Sequence, residues 1–204
     1  MTTRTLAVVS AGLSVPSSTR LLADRMTAAT VDALRERGIT ATVEVVELRE
    51  HARDLADNLL TGFPNAALRD AVDTVVGADG LIAVTPIFSA SYSGLFKTFF
   101  DVLEKDALSG KPVLLGATAG TARHSLALEH ALRPMFAYLH AVTLPTSVFA
   151  ASEDWGGDEA EGQLGGRILR SAGELAREID RREPAVVEDP FALTTSFEDL
   201  LAGI

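Results

Sequence analysis

The chain has 204 residues, 47% of them hydrophobic, and a formal charge of −10 at pH 7. That length and apolar content suit one domain with a full core, while the acidity excludes general binding to nucleic acid or to anionic membranes, which both need a basic field. Cysteine is absent, which removes disulfides, thiol catalysis and cysteine-ligated zinc or iron–sulfur centres and fits a cytoplasmic protein.

The first apolar run, residues 4–9, predicts a strand and is too short for a signal-peptide core; no later run reaches membrane-spanning length. After it come Ser10, Ser14, Ser17, Ser18, Thr19 and Arg20 around a single glycine, Gly12, and then a helical pattern over 19–37 that Gly38 closes. Two readings fit this turn: Ser and Thr capping a helix, and short donors beside free helix N–H groups holding a compact anion such as a monophosphate. Neither G-x-G-x-x-G nor G-x-x-x-x-G-K-[ST] is present, against a dinucleotide-type or P-loop site.

A strand follows at 41–47, then the least regular connection, 48–64, expected as a surface loop with some helix. A helix at 65–77 leads to a strand at 80–85 that is apolar nearly throughout, as is the strand at 112–118; parallel strands covered on both faces have that character. Between them, Thr85 to Lys97 changes from apolar strand to a polar and aromatic bend before a helix at 94–105. An aromatic and an Ile beside exposed backbone amides suit a wall along a flat heterocycle, and Phe88 and Tyr92 also suit plugs of the core.

The loop after the fourth strand, with Thr118, Ala119, Gly120, Thr121, Arg123 and His124, is small-residue-rich and opens a helical pattern over 121–139. A strand at 142–149, an acidic linker at 152–159 and a helix at 160–182 complete the domain, 1–183, and residues 184–204 form a C-terminal tail. Five β–α units of this length predict a flavodoxin-like, three-layer α/β/α fold with a five-stranded parallel sheet in the order 2-1-3-4-5. In such a sheet ligands sit beyond the carboxyl ends of the strands, so the first, third and fourth loops should converge.

The Ser-rich first loop, Ala-Asp-Gly-Leu-Ile at 78–82, the run Thr-Pro-Ile-Phe-Ser-Ala-Ser-Tyr-Ser-Gly-Leu-Phe-Lys-Thr-Phe-Phe-Asp at 85–101 and Gly-Thr-Ala-Arg-His-Ser-Leu-Ala-Leu-Glu-His-Ala-Leu-Arg-Pro at 120–134 together resemble the NAD(P)H-dependent FMN reductases over roughly residues 4–150. The likeness is to the branch serving two-component alkanesulfonate and methanesulfonate monooxygenases, and within it to actinobacterial-type reductases paired with luciferase-like flavin monooxygenases. The resemblance implies hydride transfer from NADPH or NADH to FMN, a homodimer or homotetramer, and reduced flavin passed to a separate monooxygenase. It places the FMN phosphate on Ser10, Ser14, Ser17, Ser18, Thr19 and Arg20, the isoalloxazine along Pro86, Ile87, Phe88 and Ser89, and its pyrimidine side at Thr118, Ala119, Gly120 and Thr121, with Arg123 and His124 nearby. No side chain is assigned a catalytic role and no metal is implied.

Two positions depart from the family: Arg or Asn is common where Ser14 or Thr19 stands, and a Tyr is common where His130 stands. Two other functions compete, a flavin-retaining quinone or azo reductase and a flavin-binding carrier without turnover. Other chemistry finds no motif, since H-E-x-x-H and G-x-S-x-G are both missing. Glu129 and His130 adjoin on a helical pattern and so face apart. Phe96, Phe99 and Phe100 exceed what one helix face needs and are expected in part at a subunit interface, and Trp155 in packing.

Overall fold

The computed structural model describes residues 2–156 and 158–184. In chain order it has β1 (Thr2–Ser10), α1 (Ser18–Arg35), β2 (Ile39–Glu47), α2 (Ala52–Thr61), α3 (Ala66–Gly77), β3 (Gly80–Phe88), β4 (Ser91–Tyr92), α4 (Gly94–Asp101), β5 (Pro112–Ala119), α5 (Arg133–Tyr138), β6 (Val142–Thr143), β7 (Val148–Ala151) and α6 (Asp158–Asp180). The strands form one sheet in the order β2-β1-β3-β5-β6, with β7 also on β5 and β4 a short antiparallel partner of β3. The other pairings are parallel.

The near-continuous apolar strands have the cause expected of them. Ala7, Val9, Leu81, Ala83, Val113 and Leu115 pack in one cluster with α3 and α4, whereas Leu6, Val8, Ile82, Val84 and Leu114 pack in another with α1 and α6. Helices therefore cover both faces of the central strands, giving three layers and the flavodoxin-like α/β class. Among the described residues no helix is long and apolar enough to cross a membrane.

Four expectations need correction. The strand expected at 142–149 is two pieces, β6 and β7, and with the short antiparallel β4 the sheet counts seven strands rather than five. Between the pieces Leu144 N still donates to Val113 O of β5, the chain leaves the ladder at Pro145–Ser147, and side chains from elsewhere bond to it. Arg133 donates to Thr143 Oγ1, Leu144 O, Pro145 O and Ser147 Oγ, while Glu174 accepts from Thr146 N and Oγ1.

The helix expected at 121–139 is broken into a 3-10 turn at Ala122–His124, a π turn at Leu128–Leu132 and the short α5. Pro134 has no N–H to give the carbonyl four residues back, so an α ladder cannot run through this segment, and the wide turn takes up the mismatch. The connection at 48–64 is more regular than expected, since a 3-10 turn at Leu48–His51 continues into α2.

Phe96, Phe99 and Phe100 all lie in the core of the single chain rather than at its surface. Phe100 sits 4.7 Å from Phe96 and 4.8 Å from Phe136 between ring centroids, and Phe99 meets Phe100 edge-on at 5.3 Å. The three rings pack with Phe136 of α5 into one aromatic cluster, so the core of the single chain uses all of them. Trp155 does pack, under Arg25 of α1 at 5.2 Å. Of the expected tail, residues 185–204 lie outside the described residues.

Candidate functional site

Parallel strands end together, so β1, β3, β5 and β7 deliver their following loops to one rim. A cleft of about 310 Å³ opens there, lined by Leu13, Ser14, Ser17, Ser18 and Thr19 after β1, Pro86, Ile87 and Phe88 at the end of β3, Thr118, Ala119 and Gly120 at the end of β5, and Ser152 after β7. That volume lies at the small end of the range for small-molecule sites.

The first wall is built around a helix terminus. Ser17 caps α1, its hydroxyl accepting from Arg20 N at 3.2 Å. Gly12 makes this closure fit, because a Cβ there would lie 2.1 Å from Ser17 Oγ and 3.3 Å from Thr19 Cβ. The N–H groups of Ser18 and Thr19 have no acceptor within the helix, as in any first turn. Thr19 Oγ1 meets Thr118 Oγ1 at 2.8 Å in a buried bond that ties this turn to β5. Beneath, at the end of β1, the Ser10 hydroxyl is fully buried and lacks a hydrogen-bond partner.

The second wall is a tight hairpin. Ile87 pairs with Tyr92 and Phe88 with Ser91, leaving Ser89 and Ala90 as a two-residue turn with φ of 48° and 67°. Both angles are left-handed, as a hairpin turn of this length requires, yet neither residue is glycine. Thr85 Oγ1 accepts from Ser93 N at 3.1 Å, and Ser93 in turn caps α4. The first contact ties the end of the hairpin to β3 and the second starts α4 directly after it, and Phe88 stays 49% exposed at the cleft.

Ten of the sixteen residues expected at the site line the cleft together: Ser14, Ser17, Ser18, Thr19, Pro86, Ile87, Phe88, Thr118, Ala119 and Gly120. Ser10 lies in the strand below. Ser89, Thr121, Arg123 and His124 are outside the lining, with Thr121 capping the 3-10 turn by accepting from Arg123 N. Any helix dipole after Gly120 is slight, since a three-residue turn follows rather than the long helix expected over 121–139.

Arg20 departs most from expectation. Its guanidinium turns to Asp24 (2.7 Å) and to Glu47 and lines a neighbouring cavity. Those hydrogen bonds, Asp24's first, hold its pKa above the ordinary arginine value. Leu13 and Ser152 were not foreseen. The signal for Ser152 was its place directly after the last strand, which pairs Ala151 with Ala119 of β5.

The capping reading of the first turn is realised by Ser17, while Ser14, Ser18 and Thr19 line an open cleft. An unpartnered buried hydroxyl, free first-turn N–H groups and neutral hydroxyls suit a phosphate ester, and the Pro86–Phe88 wall suits a flat ring. No His/Cys/Asp/Glu cluster able to hold a metal occurs among the described residues.

Comparison with known proteins places relatives beside this geometry. The model of a family described as NADPH-dependent FMN reductase matches residues 4–156. An FMN reductase (NADPH) of Pseudomonas aeruginosa is 38% identical over 149 residues, 72% of this chain and 76% of that protein. The NADH-dependent FMN reductase SfnE of Pseudomonas putida is 38% identical over 146 residues, with the same two coverages. Among solved structures, an oxidoreductase from Corynebacterium diphtheriae superposes with a TM-score of 0.87 at 48% identity, covering 90% of this chain and 100% of that one. The apo form of an NADH:FMN oxidoreductase, EmoB, gives 0.73 at 29% identity over 89% and 97%.

Proposed function

Since the chain belongs to the NADPH-dependent FMN reductase family and is thus an NAD(P)H-dependent oxidoreductase acting on FMN, we propose that FMN binds in the cleft at the carboxyl ends of β1, β3 and β5 and leaves, once reduced, for a separate flavin-dependent monooxygenase. The convergence of Ser14–Thr19, Pro86–Phe88 and Thr118–Gly120 on one cavity carries this reading.

When bound, the flavin supplies the redox chemistry by accepting hydride from the nicotinamide. The protein's part is positioning and electrostatics. The Ser18 and Thr19 N–H groups and the neighbouring hydroxyls hold the phosphate, and the Thr19–Thr118 bond keeps that grip in register with the β5 wall. Ile87 and Phe88 orient the ring from one side, and backbone N–H groups around Ala119 and Gly120 favour negative charge at its pyrimidine edge. No side-chain acid or base is required, which accords with the lack of a titratable side chain among those lining the cleft.

Release of the product is supported by the resemblance to reductases of two-component monooxygenases and by a phosphate grip made of neutral donors. Steady-state oxidation of NADH and NADPH, with and without added FMN, tests the reading. Saturable dependence of the rate on added FMN, with protein that purifies without flavin colour, is the expected result. Yellow protein whose turnover ignores added FMN and requires a quinone would overturn it.

A further inference from the structure

We propose that Glu47, acting with Asp24, withholds the Arg20 guanidinium from the flavin phosphate and so sets the enzyme to exchange FMN rather than retain it. The inference rests on the FMN site described above.

Arg20 is the one basic residue in the Ser10–Arg20 turn. It stands in the first turn of α1, where its charge would add most to a phosphate held at the helix terminus. Two carboxylates engage it instead. Asp24, one helical turn on, is 51% exposed and its i,i+4 pair with Arg20 is a weak surface contact by itself. Glu47 differs in kind. It is the last residue of β2, paired in register with Ser10 of β1, and only 13% exposed. A sheet position fixes this carboxylate, so it draws the guanidinium from a rigid point while Arg49 stands 3.9 Å from its other oxygen.

The resulting Arg20–Glu47–Arg49 array lines a cavity of about 270 Å³ that shares Ser14 and Ser17 with the flavin cleft. Only the turn itself separates the guanidinium from the donors of the phosphate site. A dianionic phosphate entering there meets hydroxyls and N–H groups but no uncompensated cation, and Glu47 is a nearby negative charge. Both effects lower the worth of the phosphate to binding, so FMN should gain less over riboflavin than it would with the guanidinium free. Glu47 is thus a positioning residue that acts through Arg20.

Titration of FMN and of riboflavin into the wild type, Glu47→Gln, Arg20→Gln and the double variant, followed by flavin fluorescence at low and high salt, tests this. Glu47→Gln should tighten FMN about three- to tenfold with riboflavin unchanged, and the gain should shrink with salt. Arg20→Gln should weaken FMN by exposing the Glu47 charge, and the double variant should return close to wild type. Asp24→Asn, altering an exposed partner only, should shift FMN in the same direction as Glu47→Gln by a smaller factor and serves if the β2 variant folds poorly. An unchanged FMN-to-riboflavin ratio in Glu47→Gln and Asp24→Asn, with a wild type that binds and reduces FMN, would overturn the inference alone. A wild type that binds no FMN would overturn the site itself.

Discussion

At the amino end of the parallel sheet, Arg4 pairs with Asp79 (3.3 Å) and donates to Arg182 O, Asp79 accepts from Thr5 N (2.7 Å), and Lys111 donates to Ala78 O. At the carboxyl end, Ser10 is as deeply buried and has no partner, while the hydroxyls of Ser14 and Ser18 face an open cleft. Charges are thus buried where a carboxylate and backbone carbonyls take up most of their donors, Arg4 Nε excepted, whereas at the cleft a buried neutral hydroxyl has no protein partner at all. Burial has its cost at the amino end too, pushing the Lys111 amine down to about 8 against the opposing charge of Asp79. The lesson is that depth alone does not mark a site. What separates the two ends is whether the buried polar groups have already found partners.

Asp79→Ala attacks the satisfied end. It strands a nearly buried guanidinium and removes the acceptor of Thr5 N, and should cost about 3 kcal/mol of stability, in the range for breaking a buried pair. Chemical denaturation measures that loss, and FMN affinity of the folded protein should stay at the wild-type value. Gly12→Ala attacks the unsatisfied end. The new Cβ forces Ser17 Oγ from its cap and crowds Thr19, so stability should fall by about 1 kcal/mol while FMN binding weakens about tenfold through misaligned donors. If Gly12→Ala instead lost stability on the scale of Asp79→Ala and kept its flavin affinity, the contrast between the two ends would fail.

Much of this was legible in the residues. The all-apolar runs at 80–85 and 112–118 announced covered parallel strands, and from them the layer order and the meeting of three loops followed. The Ser/Thr turn and the Thr-Pro-Ile-Phe segment marked two walls of the cleft. What escaped was decided by partners far along the chain. The break in the last strand depends on Arg133 and Glu174 reaching Leu144–Ser147 from other elements. Arg20 looked like a phosphate ligand because its competitor, Glu47, is 27 residues away in sequence. The aromatics of α4 looked surplus because Phe136, the ring that Phe96 and Phe100 pack against, comes from a separate element later in the chain.

The smallest expected effect sharpens the comparison at the level of the backbone. At the amino end, left-handed φ angles fall on Gly110 (70°) and His140 (58°), residue types that accept them more readily. At the carboxyl end they fall on Ser89 and Ala90, in the turn that presents Phe88 to the cleft. An alanine at φ 67° costs roughly 1 kcal/mol relative to a relaxed backbone, and glycine recovers most of this despite its greater freedom in the unfolded chain. Ala90→Gly should therefore stabilise the protein by about 0.5–1 kcal/mol, raising Tm by about 2 °C. The pairings of Ile87 with Tyr92 and of Thr85 with Ser93 remain to hold the hairpin, so KM for FMN should change little. A fall in Tm would show that the turn is at ease with alanine. A rise in Tm with a higher KM for FMN would show that the strained conformation itself holds Phe88 in place for the flavin.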